Sequence, residues 1–368
     1  MSCVTFIEHN TQGGSILGEI RLNAEKSLNA LNWEMVQRIR PQLEAWQNDE
    51  RICAVLLGSE GEKAFCAGGD IVKLYEAINK TDDKSGMDAF FHHEYALDYY
   101  LHTYPKPLIG WGKGIVMGGG MGLFNACHFR VVTETSHLAM PEVNIGLYPD
   151  VGASWFLNHL PKRNGLFLGL TACAIHANDA IFLGLADRAI ANSMRYELLD
   201  RLLSESWDKP AMEVIDSILR QLETSSKTVF SQLPHPIQDH QDWINDAMAK
   251  DNVVDIVNGV LAINSEDTWV TKIQHTLKYG SPVSMHIIKR QLDRCRHASL
   301  KEVFQTELDL TVKISRQREL SEGIRALLID KDRQPQWTYS NVEQVDTHFI
   351  DGFFESPWTA NTHPLRDL

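Results

Sequence analysis

The sequence has few cysteines, and none of them stands in a spacing that marks a metal or redox site. The six cysteines are Cys3, Cys53, Cys66, Cys127, Cys173 and Cys295. Because no C-x-x-C pair occurs, neither a zinc site nor a disulfide framework is predicted, and the thiols are expected to be reduced. The adjacent histidines His92 and His93 point to different faces of a helix and have no companion ligand at a suitable spacing, so we predict no metal.

The sequence also lacks a net positive charge and long apolar runs. The 368-residue chain has a formal net charge of −13, and no basic run interleaved with aromatic residues offsets it, which argues against nucleic-acid binding. No apolar run reaches the roughly 20 residues that span a bilayer, so no membrane association is predicted. The N-terminus has neither the pattern of a signal peptide nor that of a transit peptide. For a complete chain this predicts a cytoplasmic location.

Common nucleotide and serine-hydrolase motifs are absent as well. The glycine clusters fit neither G-x-G-x-x-G nor the P-loop pattern. Ser154 follows Gly152 at the spacing of G-x-S-x-G, but Phe156 occupies the final glycine position. Dinucleotide binding, triphosphate binding and a serine-hydrolase elbow therefore have no local support.

Two glycine-rich segments are the most informative feature that is present. The first is FCAGGDI (Phe65–Ile71), and the second is the later cluster Gly118–Gly120. Backbone N–H groups can stabilise a carbonyl oxygen that becomes negative only where no side chain blocks its approach. The helix-like run Met121–Cys127 adds the positive end of a helix dipole to the second cluster. The segments predict an oxyanion hole; tight turns with positive φ also require glycine, and both explanations can hold together.

Two carboxylates lie in an unusually apolar stretch, PEVNIGLYPDVG (Pro141–Gly152). They are Glu142 and Asp150. Acids in apolar surroundings are costly to keep and often have a chemical role. The alternative is that both lie at solvated turns beside Pro141 and Pro149.

The first half of the chain alternates strand-like and helix-like stretches. Strand patterns cover residues 15–22, 54–57, 108–111 and 130–133. A helix is predicted over Trp33–Trp46, with Asn32 as its N-cap and with a kink or a split at Pro41. Beyond Ile190 the pattern is mostly helical and includes a long amphipathic region over 292–314. This predicts an α/β fold with a mixed or parallel sheet, but periodicity alone does not distinguish it from a doubly wound sheet.

Four motifs occur in an order and at spacings similar to those of the crotonase, or enoyl-CoA hydratase/isomerase, family. They are KSLNAL (Lys26–Leu31), FCAGGDI (Phe65–Ile71), MGGGMG (Met117–Gly122) and PEVNIGLYPDVG (Pro141–Gly152). The resemblance spans nearly the whole chain. It implies a crotonase-like ββα spiral core over residues 1–190 and a mainly helical C-terminal extension over 191–368 that packs on the core.

Three further features resemble one branch of that family, which hydrolyses 3-hydroxyisobutyryl-CoA in valine breakdown. They are the Gly-Gly-Asp form of the first loop, Asp150 after Tyr148-Pro149, and EGIRALLIDKDRQPQW (Glu322–Trp337) near the C-terminus. The branch therefore implies an acyl-CoA thioester hydrolase.

The resemblance also implies roles for individual residues. The family glycines that match Gly69 and Gly119 bind the thioester oxygen, and the acid that matches Glu142 is the main catalytic carboxylate. Glu142 either attacks the thioester to form an acyl anhydride or acts as a base toward water; the leaving thiolate, with a thiol pKa of roughly 8.5, needs little protonation. Asp150 is expected to contact the substrate's 3-hydroxyl group or the attacking water. Glu94 matches a substrate-contacting acid, with an exposed helix acid as the alternative.

Further residues are assigned to substrate binding. Gly68, Asp70 and Ile71 belong to the first loop, where Asp70 is expected to cap or brace its helix rather than take part in the chemistry. Coenzyme A is polyanionic and the chain is acidic, so local cations must meet its phosphates. Lys26 and Lys73, each beside a loop that the family uses for coenzyme A, are the candidates; solvated surface lysines are the alternative.

The expected reaction is hydrolysis of a short 3-hydroxyacyl-CoA, with coenzyme A as part of the substrate and no separate cofactor. One alternative is an enoyl-CoA hydratase or isomerase, although the second acid of the hydratases is replaced here by Gly122. Another is an acyl-CoA-binding protein without turnover. The oligomeric state is left open: hydratase-type relatives often form trimers, which makes a homo-oligomer one possibility, and a helical C-terminus that covers the site within one subunit is the other.

Overall fold

The structure is a computed structural model that describes residues 2–80 and 85–368. Two compact units are built from interleaved stretches of the chain. The first unit comprises Met1–Gly69, Tyr100–Leu138 and Ile175–Gln238, and the second comprises Asp70–Tyr99, Ala139–Ala174 and Asp239–Leu368. The two units are defined by compactness alone and do not decide where a core ends and an extension begins. The division into residues 1–190 and 191–368 therefore stays a prediction.

The secondary structure is a mixture of short strands and many helices. The strands are β1 (Val4–Asn10), β2 (Ile16–Leu22), β3 (Ile52–Ser59), β4 (Ala64–Cys66), β5 (Leu108–Gly112), β6 (Ile115–Met117), β7 (Phe129–Val132), β8 (His137–Ala139) and β9 (Arg188–Ala189). The helices are α1 (Trp33–Asn48), α2 (Ile71–Lys80), α3 (Ser85–His102), α4 (Gly119–Asn125), α5 (Ala153–Phe156), α6 (Asn164–Thr171), α7 (Ala177–Leu183), α8 (Arg195–Ser204), α9 (Ala211–Phe230), α10 (Pro236–Asp239), α11 (Gln241–Met248), α12 (Val253–Leu261), α13 (Thr268–Tyr279), α14 (Pro282–Arg294), α15 (Leu300–Ile314), α16 (Arg318–Ile324) and α17 (Thr347–Phe353). Short 3-10 turns cover Glu25–Ser27, Glu142–Ile145, Leu157–His159, Asn192–Met194 and Val342–Gln344, and a π-helical turn, Arg325–Ile329, continues α16.

The larger sheet of the first unit is mixed. Its strand order is β1-β2-β3-β5-β7-β9. Strands β1 and β2 pair antiparallel, and the remaining neighbours pair parallel. The four predicted strands correspond to β2, β3, β5 and β7. Helix α1 supplies the crossover connection that the parallel β2–β3 pair needs. The prediction of an α/β fold with a mixed sheet is therefore confirmed.

Amphipathic helices cover this sheet. On α9, Ile215, Leu219 and Leu222 are fully buried, and they join a core cluster with sheet residues such as Leu56 and Val131. Full burial of each such side chain stabilises the fold by about 1.5–3 kcal/mol. These contacts explain why the helical pattern after residue 190 begins within the first unit.

Helix α1 begins as the sequence predicts but does not break where expected. The side chain of Asn32 accepts a hydrogen bond from the Met35 N–H at 3.0 Å, which caps the helix. The helix then runs without interruption over Trp33–Asn48 with Pro41 inside it, so a split at Pro41 is wrong. Buried side chains on both sides of the proline, including Ile39 and Leu43, hold the two halves on the same surface.

A second, smaller sheet carries the glycine segments. Its strand order is β4-β6-β8, with β4 and β6 parallel. Helix α4 follows β6 and lies so close to β4 that a Cβ atom on Gly120 would stand 2.3 Å from the Cys66 carbonyl oxygen. Only glycine allows this approach, which sets the position of the start of α4.

We expect Gly120→Ala to lower the free energy of unfolding by about 1–3 kcal/mol, because the new methyl group overlaps backbone that cannot move away easily. The measurement is a urea titration of the full chain. The matched control is Gly259→Ala in α12, an exposed position where no described heavy atom lies within 4 Å of the added Cβ. There alanine should stabilise the protein by about 0.5–1 kcal/mol. Equal midpoints for the two variants would contradict the close contact.

The second unit is mainly helical. The amphipathic region predicted over 292–314 is divided between two helices, because α14 ends at Arg294 and α15 begins at Leu300. A capping box separates them: the Ser299 hydroxyl accepts from the Glu302 N–H at 3.3 Å, and Glu302 accepts from the Ser299 N–H at 2.8 Å. Among the described residues, none of the helices combines the length and the apolar character that crossing a bilayer requires.

Candidate active site

The two glycine segments lie side by side in the first unit. Gly68 has a φ of +105°, and a Cβ atom placed on it would stand 3.3 Å from the Met117 carbonyl oxygen and 3.8 Å from the Gly119 nitrogen. The Gly68 carbonyl accepts a hydrogen bond from the Leu31 N–H at 2.7 Å, which fixes the first loop. The left-handed backbone and the close contact both favour glycine at position 68.

The N–H groups of Gly69 and Gly119 are available as donors. Outside regular helices and strands, no hydrogen bond among the described residues uses either N–H. Gly119 is the first residue of α4 and follows Gly118, whose φ of 50° and ψ of −124° differ from those of the helix. Free N–H groups on neighbouring loops can donate to one developing oxyanion, and the helix start adds a partial positive charge.

The remaining residues assigned to substrate binding occupy the start of α2 and the Glu25–Ser27 turn. Asp70 caps α2, since its Oδ1 accepts from the Lys73 N–H at 3.2 Å, as expected. The Nζ atom of Lys73 lies 3.8 Å from Asp70 Oδ2, and its side chain is 74% exposed. Lys26 is exposed, and Ile71 is half-buried at the first position of α2. A solvated lysine and a lysine that binds a phosphate are both expected to be exposed, so exposure does not distinguish them. Contact between the two lysines and coenzyme A stays a prediction.

The three acids singled out by the sequence are all buried in the second unit. Glu94 on α3 is 3% exposed, and Glu142 and Asp150 are each 5% exposed. The alternatives of an exposed helix acid and of acids at solvated turns are therefore wrong. Burial removes the hydration of a carboxylate, so these groups resist ionisation and become stronger bases when ionised.

Asp150 is held by a buried hydroxyl network. The Tyr95 hydroxyl donates to Asp150 Oδ2 at 2.5 Å and lies 2.7 Å from the Thr311 hydroxyl. The Tyr148 hydroxyl lies 2.9 Å from the same threonine. Burial raises the pKa of Asp150 to about 6, and the hydrogen bond from Tyr95 opposes this rise. Asp150 can therefore change its protonation state close to neutral pH.

Glu142 opens the 3-10 turn Glu142–Ile145 and has an unused acceptor. No hydrogen-bond partner for its Oε2 exists among the described residues. Burial raises the pKa of Glu142 well above its usual range, and the nearby Asp150 carboxylate raises it further. A carboxylate with one free oxygen and little solvation has the properties needed in a nucleophile or a general base.

Two buried acids on which Asp150 acts were not singled out in the sequence, Glu307 and Asp98. The Glu307 carboxylate on α15 accepts from the Gly152 N–H at 2.7 Å and from the Ser154 N–H at 2.9 Å. Burial raises the pKa of Glu307 to about 8, although both hydrogen bonds oppose the rise. Asp98 is fully buried on α3. Glu307 could have been noticed in the sequence as an acid on the apolar face of an amphipathic helix, and Asp98 as an acid one helical turn after Glu94.

We expect Glu307→Gln to reduce the free energy of unfolding by about 1–3 kcal/mol, because the new amide NH2 group faces a backbone N–H that then has no acceptor. The loop that follows Asp150 should also loosen. Thermal unfolding measures the first effect, and protease sensitivity near Gly152 measures the second. A variant with unchanged stability would show that the loop does not depend on this carboxylate.

The described part of the chain contains no group of three or more His, Cys, Asp or Glu side chains placed to hold a metal ion.

The family of the chain follows from its sequence and fold. Residues 17–354 match the model of the enoyl-CoA hydratase/isomerase family. The chain belongs to this family, which confirms the resemblance.

Relatives and solved structures extend this result over the whole chain. The 3-hydroxyisobutyryl-CoA hydrolase, mitochondrial, of Gallus gallus is 36% identical over 344 residues, which cover 94% of this chain and 87% of the relative. The protein of the same name from Homo sapiens is 34% identical, with coverages of 92% and 86%. A crystal structure of an enoyl-CoA hydratase from Rhodobacter sphaeroides is 29% identical with a TM-score of 0.83 and coverages of 96% and 97%. A carnitinyl-CoA dehydratase from Mycobacterium thermoresistibile is 28% identical with a TM-score of 0.84 and coverages of 98% and 98%. The predicted crotonase-like fold with C-terminal helices is thus confirmed.

One prediction fails against these relatives. The sequence favoured a cytoplasmic location, but the relatives from Gallus gallus, Danio rerio and Homo sapiens are all named mitochondrial. The names of these relatives contradict the cytoplasmic prediction. The cytoplasmic prediction rested on the absence of targeting patterns, and such an absence does not determine a compartment.

Proposed function

We propose that the protein hydrolyses a short 3-hydroxyacyl-CoA thioester, namely 3-hydroxyisobutyryl-CoA, to 3-hydroxyisobutyrate and coenzyme A. The observation that carries the proposal is the pair of buried acids Glu142 and Asp150, the first with a free oxygen and the second with a pKa near 6. Relatives at 34–36% identity that are named 3-hydroxyisobutyryl-CoA hydrolase support the same substrate. The reaction belongs to valine catabolism.

The proposed chemistry assigns one task to each group. The N–H groups of Gly69 and Gly119 donate to the thioester oxygen as it becomes negative. Glu142 either adds to the carbonyl carbon or removes a proton from the water that adds to it. The C–S bond then breaks and the thiolate leaves with little need for an acid, since thiols are acidic. On the first route the acyl group is then an anhydride on Glu142, and water hydrolyses it to release the acid and restore the Glu142 carboxylate.

Asp150 and Glu94 recognise the 3-hydroxyl group in this proposal, and Asp150 can instead orient the attacking water. Gly68, Asp70 and Ile71 bind the acyl-CoA along the first loop, while Lys26 and Lys73 meet its phosphates. Coenzyme A is part of the substrate, and no further cofactor is needed.

A panel of thioesters tests the proposal. Thiol release is measured with 3-hydroxyisobutyryl-CoA, 3-hydroxypropionyl-CoA and isobutyryl-CoA, and loss of the conjugated chromophore is measured with crotonyl-CoA. The proposal expects rapid thiol release from hydroxylated substrates and slow loss of the crotonyl chromophore. An absence of thiol release from every hydroxyacyl-CoA would refute it.

The family relationship makes hydration the main competing activity, since the Rhodobacter sphaeroides structure is named an enoyl-CoA hydratase. Chromophore loss from crotonyl-CoA without thiol release would favour that reaction. Tight binding of acyl-CoA with neither signal would favour a binding protein without turnover.

A further inference from the structure

Helix α3 carries a second acid beside the proposed substrate contact. Asp98 follows Glu94 by one helical turn, so both side chains lie on the same face of the helix. Asp98 is 0% exposed and Glu94 is 3% exposed. Neither carboxyl oxygen of Asp98 has a hydrogen-bond partner among the described residues. A fully buried polar group without a partner is rare in proteins and requires an explanation.

The titratable groups that act on Asp98 are all acids. Glu94 lies on the same helix, Asp150 lies in the loop after the Glu142–Ile145 turn, and Glu307 lies on α15. Burial raises the pKa of Asp98 well above its usual range, and these three carboxylates raise it further. Because an ionised carboxylate without donors is very costly in such surroundings, Asp98 holds a proton.

The proton resides on Asp98 rather than on Glu94. Burial raises the pKa of Glu94 as well, and Asp150 raises it further, but it is Asp98 whose two oxygens are both buried without a donor among the described residues. Asp98 is also the more deeply buried of the two. In a pair of interacting acids, the group with more unfavourable surroundings keeps the shared proton.

A protonated Asp98 is a hydrogen-bond donor that needs an acceptor. Glu94 is the acid nearest to it along the helix, and the two form no direct hydrogen bond, because both oxygens of Asp98 lack a protein partner. Buried polar groups that lack a direct partner are commonly bridged by an ordered water molecule in proteins.

We propose that Asp98 is a positioning residue that donates a hydrogen bond through one ordered water molecule to Glu94, so that the pair carries a single negative charge on Glu94. The inference rests on the proposed function, because the charged Glu94 is there the acceptor for the substrate's 3-hydroxyl group. Without the donor, Glu94 takes the proton itself and loses acceptor strength toward the hydroxyl.

Two substitutions distinguish the effect of the hydrogen-bond donor at position 98 from the effect of side-chain size. Asp98→Asn keeps the size and supplies an NH2 donor, whereas Asp98→Leu removes every polar atom. The measured quantity is the ratio of kcat/KM for 3-hydroxyisobutyryl-CoA to kcat/KM for isobutyryl-CoA, which lacks the hydroxyl group. Asp98→Asn should keep the native ratio, and Asp98→Leu should lower it by about tenfold or more, the effect of one lost hydrogen bond to a charged group.

A matched control is Asp179→Asn, a substitution of another fully buried acid that lies in the first unit. Asp179 accepts from the Ile237 N–H at 3.0 Å and thus has a structural role. Its substitution should lower the thermal midpoint without changing the substrate ratio. An equal fall of the ratio in Asp179→Asn and Asp98→Leu would assign the effect to general destabilisation and overturn the proposal.

Infrared difference spectroscopy gives a readout that does not depend on turnover. The native protein at neutral pH should show the carbonyl stretches of protonated carboxyl groups, and the difference between the native protein and Asp98→Asn should contain the band that belongs to Asp98. A difference spectrum without that band, or an unchanged substrate ratio in folded Asp98→Leu, would refute the role of Asp98. If the native protein releases no thiol from any hydroxyacyl-CoA, the proposed function fails, and with it the role of Asp98 toward substrate, even where the band shows that Asp98 is protonated.

Discussion

Glu142→Gln is expected to lose about 10²–10⁴-fold in kcat for thiol release while it still binds coenzyme A. Glutamine has nearly the same volume, so the turn that begins at Glu142 should persist, but an amide neither attacks a thioester efficiently nor accepts a proton from water. Glu142 is buried and its Oε2 has no partner among the described residues, so the substitution removes no protein contact at that atom. The loss should therefore be catalytic rather than structural.

Steady-state thiol release and calorimetric titration with coenzyme A measure the two effects separately. Glu319→Gln is the matched control, because Glu319 is also a buried acid of the second unit, with its oxygens bonded to the Ser281 hydroxyl at 2.8 Å and the Thr338 N–H at 2.7 Å. This control should lose stability but keep its kcat per folded molecule. Native turnover in Glu142→Gln would remove Glu142 from the mechanism.

The sequence allowed the prediction of those features that depend on local pattern. Alternation of apolar residues located β2, β3, β5 and β7, and the glycine motifs located neighbouring loops. Two details within the helices depend on local contacts as well. Helix α1 is not split at Pro41, where buried residues lie on both sides, and Ser299 starts a new helix through a capping box inside an amphipathic stretch.

The surroundings of the acids depend on contacts between distant parts of the chain and could not be predicted in the same way. Asp150 receives its hydrogen bond from Tyr95, which precedes it by 55 residues, and Glu307 follows its partner Gly152 by 155 residues. The periodicity of apolar residues along the sequence contains no information about such distant pairs. The apolar setting of Glu142 indicated burial, but the sequence left open whether Glu94 is buried or exposed, and only the fold decides that it is buried.

Asp150→Asn is expected to lower kcat/KM for 3-hydroxyisobutyryl-CoA by about 10²–10⁴-fold, since its ionised form accepts a proton or a hydrogen bond in the proposed reaction. The native protein should also lose activity as the pH falls. Burial raises the pKa of Asp150 to about 6, so the active, ionised form dominates above pH 6 and decreases about tenfold for each pH unit below it. The pH dependence of kcat/KM in the free enzyme measures this limb.

Tyr95→Phe identifies the group that titrates. The Tyr95 hydroxyl donates to Asp150 at 2.5 Å, and this bond lowers the pKa of Asp150. Without it the pKa rises, so the acid limb should move to higher pH while the plateau above it is retained. Tyr148→Phe is the matched control: its hydroxyl is equally buried and also lies beside Thr311, but it donates to the Glu307 carbonyl at 2.8 Å and makes no hydrogen bond to Asp150. If both phenylalanine variants shift the limb equally, or neither does, then another acid titrates there, and Glu142 is the next candidate because its pKa is also raised by burial.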